Sequence, residues 1–155
     1  MAVVLSDLLN EKHVVLNLRS RTGTKVLGEI VDVLHANHAV GDPKKFLEEL
    51  LARERASPTT VEHGVGFPHA RTDLVDRIVL GVGRSRRGVT LGTSEERAHL
   101  VFVLGVPRQM INDYLVCIGA LARLAKDEAT RTSLIKAETA GELVEILRAG
   151  SLLLE

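Results

Sequence analysis

His69 has the local sequence expected of a histidine that does chemistry. It lies near the end of the stretch 59–70, TTVEHGVGFPHA, which shows no helical period. Gly64 and Gly66 let the backbone approach another group closely or adopt a positive φ, while Pro68 fixes φ just before the histidine and removes an N–H donor. Because an imidazole with a pKa of about 6.5 is largely neutral at cellular pH, we predict that His69 acts as a nucleophile.

Several polar residues upstream could serve the same site, and each also has a plainer explanation. His69 itself could be a turn histidine that bonds the backbone, and His63 could share its surface or simply cap a turn. Arg53, within the charged run 53–55, is either solvated at a helix end or holds a phosphoryl group through its planar guanidinium. Thr59 and Thr60 offer hydroxyl groups for the same purpose, or are ordinary loop threonines.

Other patterns give weaker indications of chemistry. His35 and His38 are spaced to share a helix face, and His99 could join them, but no carboxylate or thiol completes a recognisable ligand set, so we predict no metal site. The run Gly81–Gly83 suggests a dinucleotide fingerprint, which fails because Arg86 occupies the place of the third glycine. No Walker sequence, nucleophile elbow or metalloprotease motif is present.

Composition narrows the class of protein further. With 155 residues and 45% hydrophobic content, we expect a single domain over residues 1–155. Twenty basic and twenty acidic residues leave no net charge to attract nucleic acid or an anionic membrane, and no apolar run reaches the length of a membrane span. The basic run 84–87 indicates a solvated loop or a docking site for an acidic partner. Cys117, the single cysteine, excludes an internal disulfide and fits the reducing cytoplasm.

Hydrophobic spacing predicts helices, then strands, then helices along the chain. Asp42 and Pro43 form an N-cap followed by proline at the first helical position, and Ser57-Pro58 ends the same helix. The predicted strands are 13–18, 78–82, 100–106 and a short edge strand at 89–91; the predicted helices are 25–38, 43–56, 111–125 and two shorter ones around 134–135 and 143–147, before a tail at 152–154. This order predicts an α/β fold in which helices flank a mixed sheet.

Taken together, these residues resemble the enzyme IIA domains of the bacterial phosphoenolpyruvate-dependent phosphotransferase system, in its fructose/mannitol and nitrogen-regulatory branch. The likeness covers nearly the whole chain. It includes the helix ending in Arg53-Glu54, the Pro-His core within 64–70, the strand 100–106 that ends at Pro107, and the following helix. The resemblance implies the mannitol-type enzyme IIA fold, with no metal or organic cofactor.

Residue by residue, the resemblance implies that His69 is phosphorylated, and that Arg53 and Thr59 assist as phosphoryl-binding residues. Two departures bear on the site. His63 stands where the family commonly has asparagine, and Tyr114 replaces a second active-site histidine, which removes a group able to carry positive charge. We therefore add both to the phosphoryl-binding set, with the hypothesis that His63 restores part of the missing function.

The resulting prediction is a cytoplasmic histidine phosphocarrier of the nitrogen-regulatory type. Its expected partners are a phosphocarrier protein as donor and either a regulated target protein or an enzyme IIB domain as acceptor. Two alternatives stay open: a non-catalytic interaction module whose site has degenerated at Tyr114, and an enzyme IIA component of sugar transport. Residues 152–154 could pack within the chain or against a second copy in a homodimer.

Overall fold

A mixed five-stranded sheet forms the centre of the computed structural model, which describes residues 2–154. β4 and β5 are antiparallel and make up the long middle of the sheet, β1 runs parallel to β4, and β2 and β3 follow one another along the far edge of β5, both parallel to it. The strands are β1 (Val14–Val15), β2 (Val65–Gly66), β3 (His69–Thr72), β4 (Val79–Val89) and β5 (Ala98–Pro107).

Helices cover both faces of this sheet. They are α1 (Gly23–Ala36), α2 (Pro43–Ala56), α3 (Ile111–Lys126), α4 (Glu128–Lys136) and α5 (Ala140–Leu154), preceded by two 3-10 turns at Leu5–Leu8 and Glu11–His13. α2 begins as predicted, since the Asp42 side chain accepts a hydrogen bond from the Lys45 N–H and Pro43 is the first helical residue. Within residues 2–154, none of the helices combines the length and apolar character needed to cross a membrane.

Alternation along β5 divides the interior into two cores. The side chains of Leu100, Phe102 and Leu104 join the core under α3, α4 and α5, whereas those of Val101 and Val103 join the core under α1 and α2. The predicted α/β fold, a mixed sheet flanked by helices, is confirmed. A strand buried on both faces explains why the segment reads as a continuous apolar run.

β4 is longer than the sequence predicted, and the basic run 84–87 is part of it rather than a loop. Arg84 is 1% exposed. Its Nε donates to the Leu16 carbonyl at 3.0 Å, and its NH1 group donates to the carbonyls of Leu134, at 3.2 Å, and Ala137. These bonds satisfy both a buried guanidinium and the carbonyls at the end of α4, so the strand continues through a charged residue.

Three other boundaries differ from prediction. The prediction of a separate edge strand at 89–91 is wrong, because Val89 is the last residue of β4 and Thr90 forms an isolated bridge with Thr22. The first strand is confined to Val14–Val15 instead of 13–18. The tail at 152–154 continues α5, with Leu153 87% exposed.

Candidate active site around His69

His69 lines a cavity of about 180 Å³ at the edge of the sheet. The cavity is formed by the last turn of α2, the connection that follows it and the beginning of β3. Its lining residues are Arg53, Glu54, Ser57, Pro58, Thr59, Thr60, Phe67 and His69. The sequence placed His69 in a loop, whereas the structure makes it the first residue of a strand. A strand position fixes the imidazole more firmly than a loop would.

Pairing with β5 and a link to α2 hold the histidine in place. His69 is in register with Leu104, whose N–H donates to the Pro68 carbonyl at 3.0 Å. At the other end of β3, the fully buried Thr72 hydroxyl donates to the Glu49 carboxylate of α2 at 2.7 Å. Because Arg53 lies one turn after Glu49, this bond helps to hold the part of α2 that carries the arginine against the strand that carries the histidine.

The hydrogen bond made by His69 determines which ring nitrogen can react. Nδ1 lies 3.3 Å from the Phe67 carbonyl oxygen. A carbonyl can only accept, so Nδ1 carries the proton and donates, and Nε2 keeps its lone pair. Phe67 is itself held by stacking on Phe102, with ring centroids 5.5 Å apart. The arrangement therefore leaves Nε2 as the ring nitrogen with an available lone pair.

Burial lowers the pKa of His69, and the charge of Arg53 acts in the same direction. The hydrogen bond to the Phe67 carbonyl and the negative charge of Glu54 oppose that shift, but they do not reverse it. The imidazole is consequently neutral at neutral pH, which a nucleophile requires, and no separate base is needed to deprotonate it.

Glu54 is a residue of this cavity that the sequence interpretation missed. Its carboxylate accepts two hydrogen bonds from Thr59, one from the N–H at 3.1 Å and one from the hydroxyl. The predicted role of Thr59 as a direct hydroxyl donor to a phosphoryl group is thereby altered, since that hydroxyl already donates to Glu54. The available signal was a glutamate at the helix end five residues before a threonine, a pattern that many surface helices share.

Tyr114 comes to His69 from α3, the helix in which the resemblance to the enzyme IIA family placed the second site residue. Its ring centroid lies 5.2 Å from that of His69, with an angle of 32° between the ring planes. The side chain is 9% exposed, and burial raises the pKa of its hydroxyl while Arg53 acts against this shift. Tyr114 therefore stays protonated and packs against the histidine ring, although it is absent from the residues that line the cavity.

His63 does not join this group. It is exposed, adopts a φ of 56° in the turn before β2, and lines a different cavity with His99 and residues of α4. The turn is closed by the two hydrogen bonds between Glu62 and Val65. The expectation that His63 supplements the His69 site is corrected by this placement.

Comparison with known proteins identifies the family and the fold of the chain. The profile of the family described as "Phosphoenolpyruvate-dependent sugar phosphotransferase system, EIIA 2" matches residues 7–150. The chain belongs to this family. Among sequence relatives of this enzyme IIA family member, the fructose-specific EIIABC component of Bacillus subtilis is 30% identical over 144 residues, 92% of this chain, and the chain spans 23% of that protein's length. The fructose-specific EIIA component of Haloferax volcanii is 33% identical over 109 residues, covering 70% of this chain and 71% of that protein.

Solved structures of the family show the same architecture. The nitrogen regulatory protein IIA-Ntr of Neisseria meningitidis superimposes with a TM-score of 0.78 at 25% identity, covering 92% of this chain and 97% of the other. The complex of enzyme IIA-mannitol with phosphorylated enzyme IIB-mannitol from Escherichia coli gives a TM-score of 0.77 at 19% identity, covering 91% and 97% respectively. At this lower identity the second likeness concerns the fold alone.

Proposed function

We propose that this enzyme IIA family member is a histidine phosphocarrier that accepts a phosphoryl group on Nε2 of His69. The observation that carries the proposal is the hydrogen bond from Nδ1 to the Phe67 carbonyl, which leaves Nε2 unprotonated beside an arginine. Family membership supports the same assignment. The expected donor is a small phosphocarrier protein, and the chemistry takes place in the cytoplasm.

In the proposed step, the Nε2 lone pair attacks phosphorus as the bond between phosphorus and the donor protein breaks, with its electron pair leaving on the donor. The Arg53 guanidinium lines the same cavity and supplies positive charge to the phosphoryl oxygens as they pass. Glu54 keeps Thr59 in position. Onward transfer is the same displacement in the other direction, with an acceptor attacking the phosphohistidine.

Two uses of the phosphoryl group are supported by different relatives. The likeness to IIA-Ntr supports the nitrogen-type regulatory role, in which about −1.5 to −2 units of added charge alter the binding of a target protein. The similarity to fructose-specific proteins supports a second candidate, delivery of the phosphoryl group to an enzyme IIB partner in sugar transport. The solved complex of a related fold with enzyme IIB shows an assembly of the kind this second candidate requires.

Incubation of the chain with phosphoenolpyruvate, enzyme I and the phosphocarrier protein tests the proposed chemistry. We expect an acid-labile, alkali-stable phosphoryl group on the wild type that is lost in His69→Ala. The matched control is His63→Asn, which changes an exposed histidine outside the cavity and should label like the wild type. An unlabelled wild type that still binds a partner would instead support the alternative of a non-catalytic interaction module.

Transfer from the labelled protein separates the two uses. A regulatory protein should retain its label when a fructose-type enzyme IIB is added, and should bind its target differently in the labelled and unlabelled forms. A sugar-transport component should pass the label to enzyme IIB within the time of mixing. Rapid loss of label to enzyme IIB would overturn the regulatory assignment while leaving His69 as the carrier residue.

A further inference from the structure

A second cavity, of about 230 Å³, lies between the start of β2, the start of β5 and α4. Its lining residues are His63, Gly64, His99, Leu100, Arg131, Thr132, Ile135 and Lys136. None of these lines the cavity of His69, so within the described chain the two sites are separate. The second cavity collects two of the five histidines that the proposed phosphoryl transfer does not use, His63 and His99, together with two cations.

His99 is a fixed wall of this cavity. Its Nδ1 lies 2.9 Å from the Ser85 carbonyl and therefore donates to it, which leaves Nε2 as an acceptor. The ring lies against the backbone of two glycines: a Cβ on Gly64 would come within 3.2 Å of Cδ2, and one on Gly88 within 3.1 Å of Cε1. Both glycines have positive φ, 74° and 89°, so side chains are disfavoured at both positions and the ring keeps its close packing.

The charged groups of the cavity come from α4. Arg131 uses one of its five N–H donors on the Ala125 carbonyl at 2.7 Å, and Lys136 is exposed in the last turn. The carboxylate of Glu96 is also nearby, since it accepts from the Gly64 N–H at 2.7 Å, but it does not line the cavity. Asp127 interacts electrostatically with Arg131 but does not line the cavity either. The charged side chains that line the cavity are therefore both cations, which favours an anion there.

The walls between these charges are apolar. Leu100 and Ile135 line the interior, whereas the cationic groups belong to the flexible ends of long side chains. A fully hydrated inorganic ion would leave this apolar surface unused. We propose that the cavity binds a small organic carboxylate, with its apolar body between Leu100 and Ile135 and its carboxylate at Arg131 and Lys136.

Titration of the full chain with benzoate, followed by NMR, tests this proposal. We expect saturable shifts of the His63 and His99 imidazole signals and of the Gly64 amide, with no shift at His69. Benzyl alcohol has the same apolar body without the charge and should bind about tenfold more weakly, because it forgoes both ionic contacts. Equal binding of the two probes, or no saturation by benzoate, would overturn the proposal.

Matched variants locate the binding site. Lys136→Met should weaken benzoate binding by about threefold to fivefold, while Lys126→Met, at an exposed lysine in the last turn of α3, should not. His63→Asn should also weaken it, whereas His38→Asn serves as its control, since His38 is an exposed histidine with a similar φ of 63°. Unchanged affinity in both Lys136→Met and His63→Asn would place the ligand elsewhere. His69→Ala should bind benzoate normally, so this proposal and that of phosphoryl transfer fail independently.

Discussion

At the scale of single residues, burial and the charge of Glu54 have opposite effects on the pKa of His69. Burial keeps the imidazole uncharged, while Glu54 places a carboxylate close enough to act on the same pKa. That carboxylate is useful for holding Thr59, but it would repel an anionic phosphohistidine. In the proposed phosphocarrier, the same residue would organise the cavity and favour departure of the phosphoryl group from His69.

Replacement of Glu54 by glutamine separates these two effects. Because the carboxylate raises the pKa of His69 against the larger effect of burial, Glu54→Gln should lower the midpoint of the His69 titration further below its usual value of about 6.5. The phosphorylated fraction at a fixed ratio of donor to carrier should rise as the repulsion is removed. NMR titration of the imidazole measures the first change. Glu48→Gln, an exposed neighbour on α2, is the control, and an unchanged midpoint in Glu54→Gln would contradict the assignment.

Two substitutions of Tyr114 separate the contribution of its aromatic ring from that of its hydroxyl group. Since its ring packs against His69 while its hydroxyl is not part of the cavity lining, Tyr114→Phe should keep the phosphorylation rate within about threefold. Tyr114→Ala should lose about 3–5 kcal/mol of unfolding free energy and slow phosphorylation, because the ring that supports the histidine is removed. Rapid-quench labelling and denaturant unfolding measure the two quantities. If Tyr114→Phe were as slow as Tyr114→Ala, the hydroxyl rather than the ring would be responsible.

At the scale of elements, the site depends on how α2 is fixed to β3. Glu49 and Thr72 are separated by 23 positions, and their hydrogen bond is the polar link between the helix that carries Arg53 and the strand that carries His69. Phe46 packs α2 against the neighbouring strand β5, since a Cβ on Gly105 would come within 2.9 Å of its ring. The junction is therefore closely packed and leaves little freedom for the helix to shift.

Thr72→Val tests this junction. The substitution keeps the shape of the side chain but leaves the Glu49 carboxylate without its hydroxyl donor, so the unfolding free energy should fall by about 1–3 kcal/mol. The phosphorylation rate should fall as well, because the end of α2 that carries Arg53 is no longer tied to β3. Thr24→Val, at an exposed position in the first turn of α1, provides the control for both measurements. A stable Thr72→Val variant with normal labelling would show that packing alone fixes the junction.

The helices and strands that were predicted correctly are those whose spacing of apolar residues reflects burial alone. The period of α1 and the apolar run of β5 follow directly from which faces are covered. Arg84 could not be predicted in the same way, because a charged residue becomes a core residue only when distant carbonyls at Leu134 and Ala137 are available to accept from it. The contact of Glu54 with Thr59 was missed for a similar reason, since it depends on how the chain turns after α2.

At the scale of the whole molecule, three ionisable side chains, His13, His69 and Cys117, are in surroundings where burial disfavours the charged form. Burial lowers the pKa of His13 and of His69, and it raises the pKa of the Cys117 thiol to about 11, with Asp113 and Asp7 adding to that rise. These groups lie in different parts of the fold, so their protonation affects unfolding of the molecule as a unit. They set an acid and an alkaline limit on stability.

The pH dependence of unfolding should therefore have a plateau with a decline on each side. Below a pH of about 6.5 the unfolded chain binds protons on His13 and His69 that the folded protein does not, so stability should fall as the pH drops towards the lowered folded values. On the alkaline side, the thiol of Cys117 ionises near its usual pKa of about 8.5 in the unfolded chain and near 11 in the fold, so stability should fall between these values. Urea unfolding between pH 5 and pH 10 measures both declines. His69→Gln should reduce the acid decline in stability without abolishing it, because His13 remains. The control, His38→Gln at an exposed histidine, should leave that decline unchanged. An acid decline of the same size in His69→Gln and in the wild type would show that His69 is not held neutral by the fold.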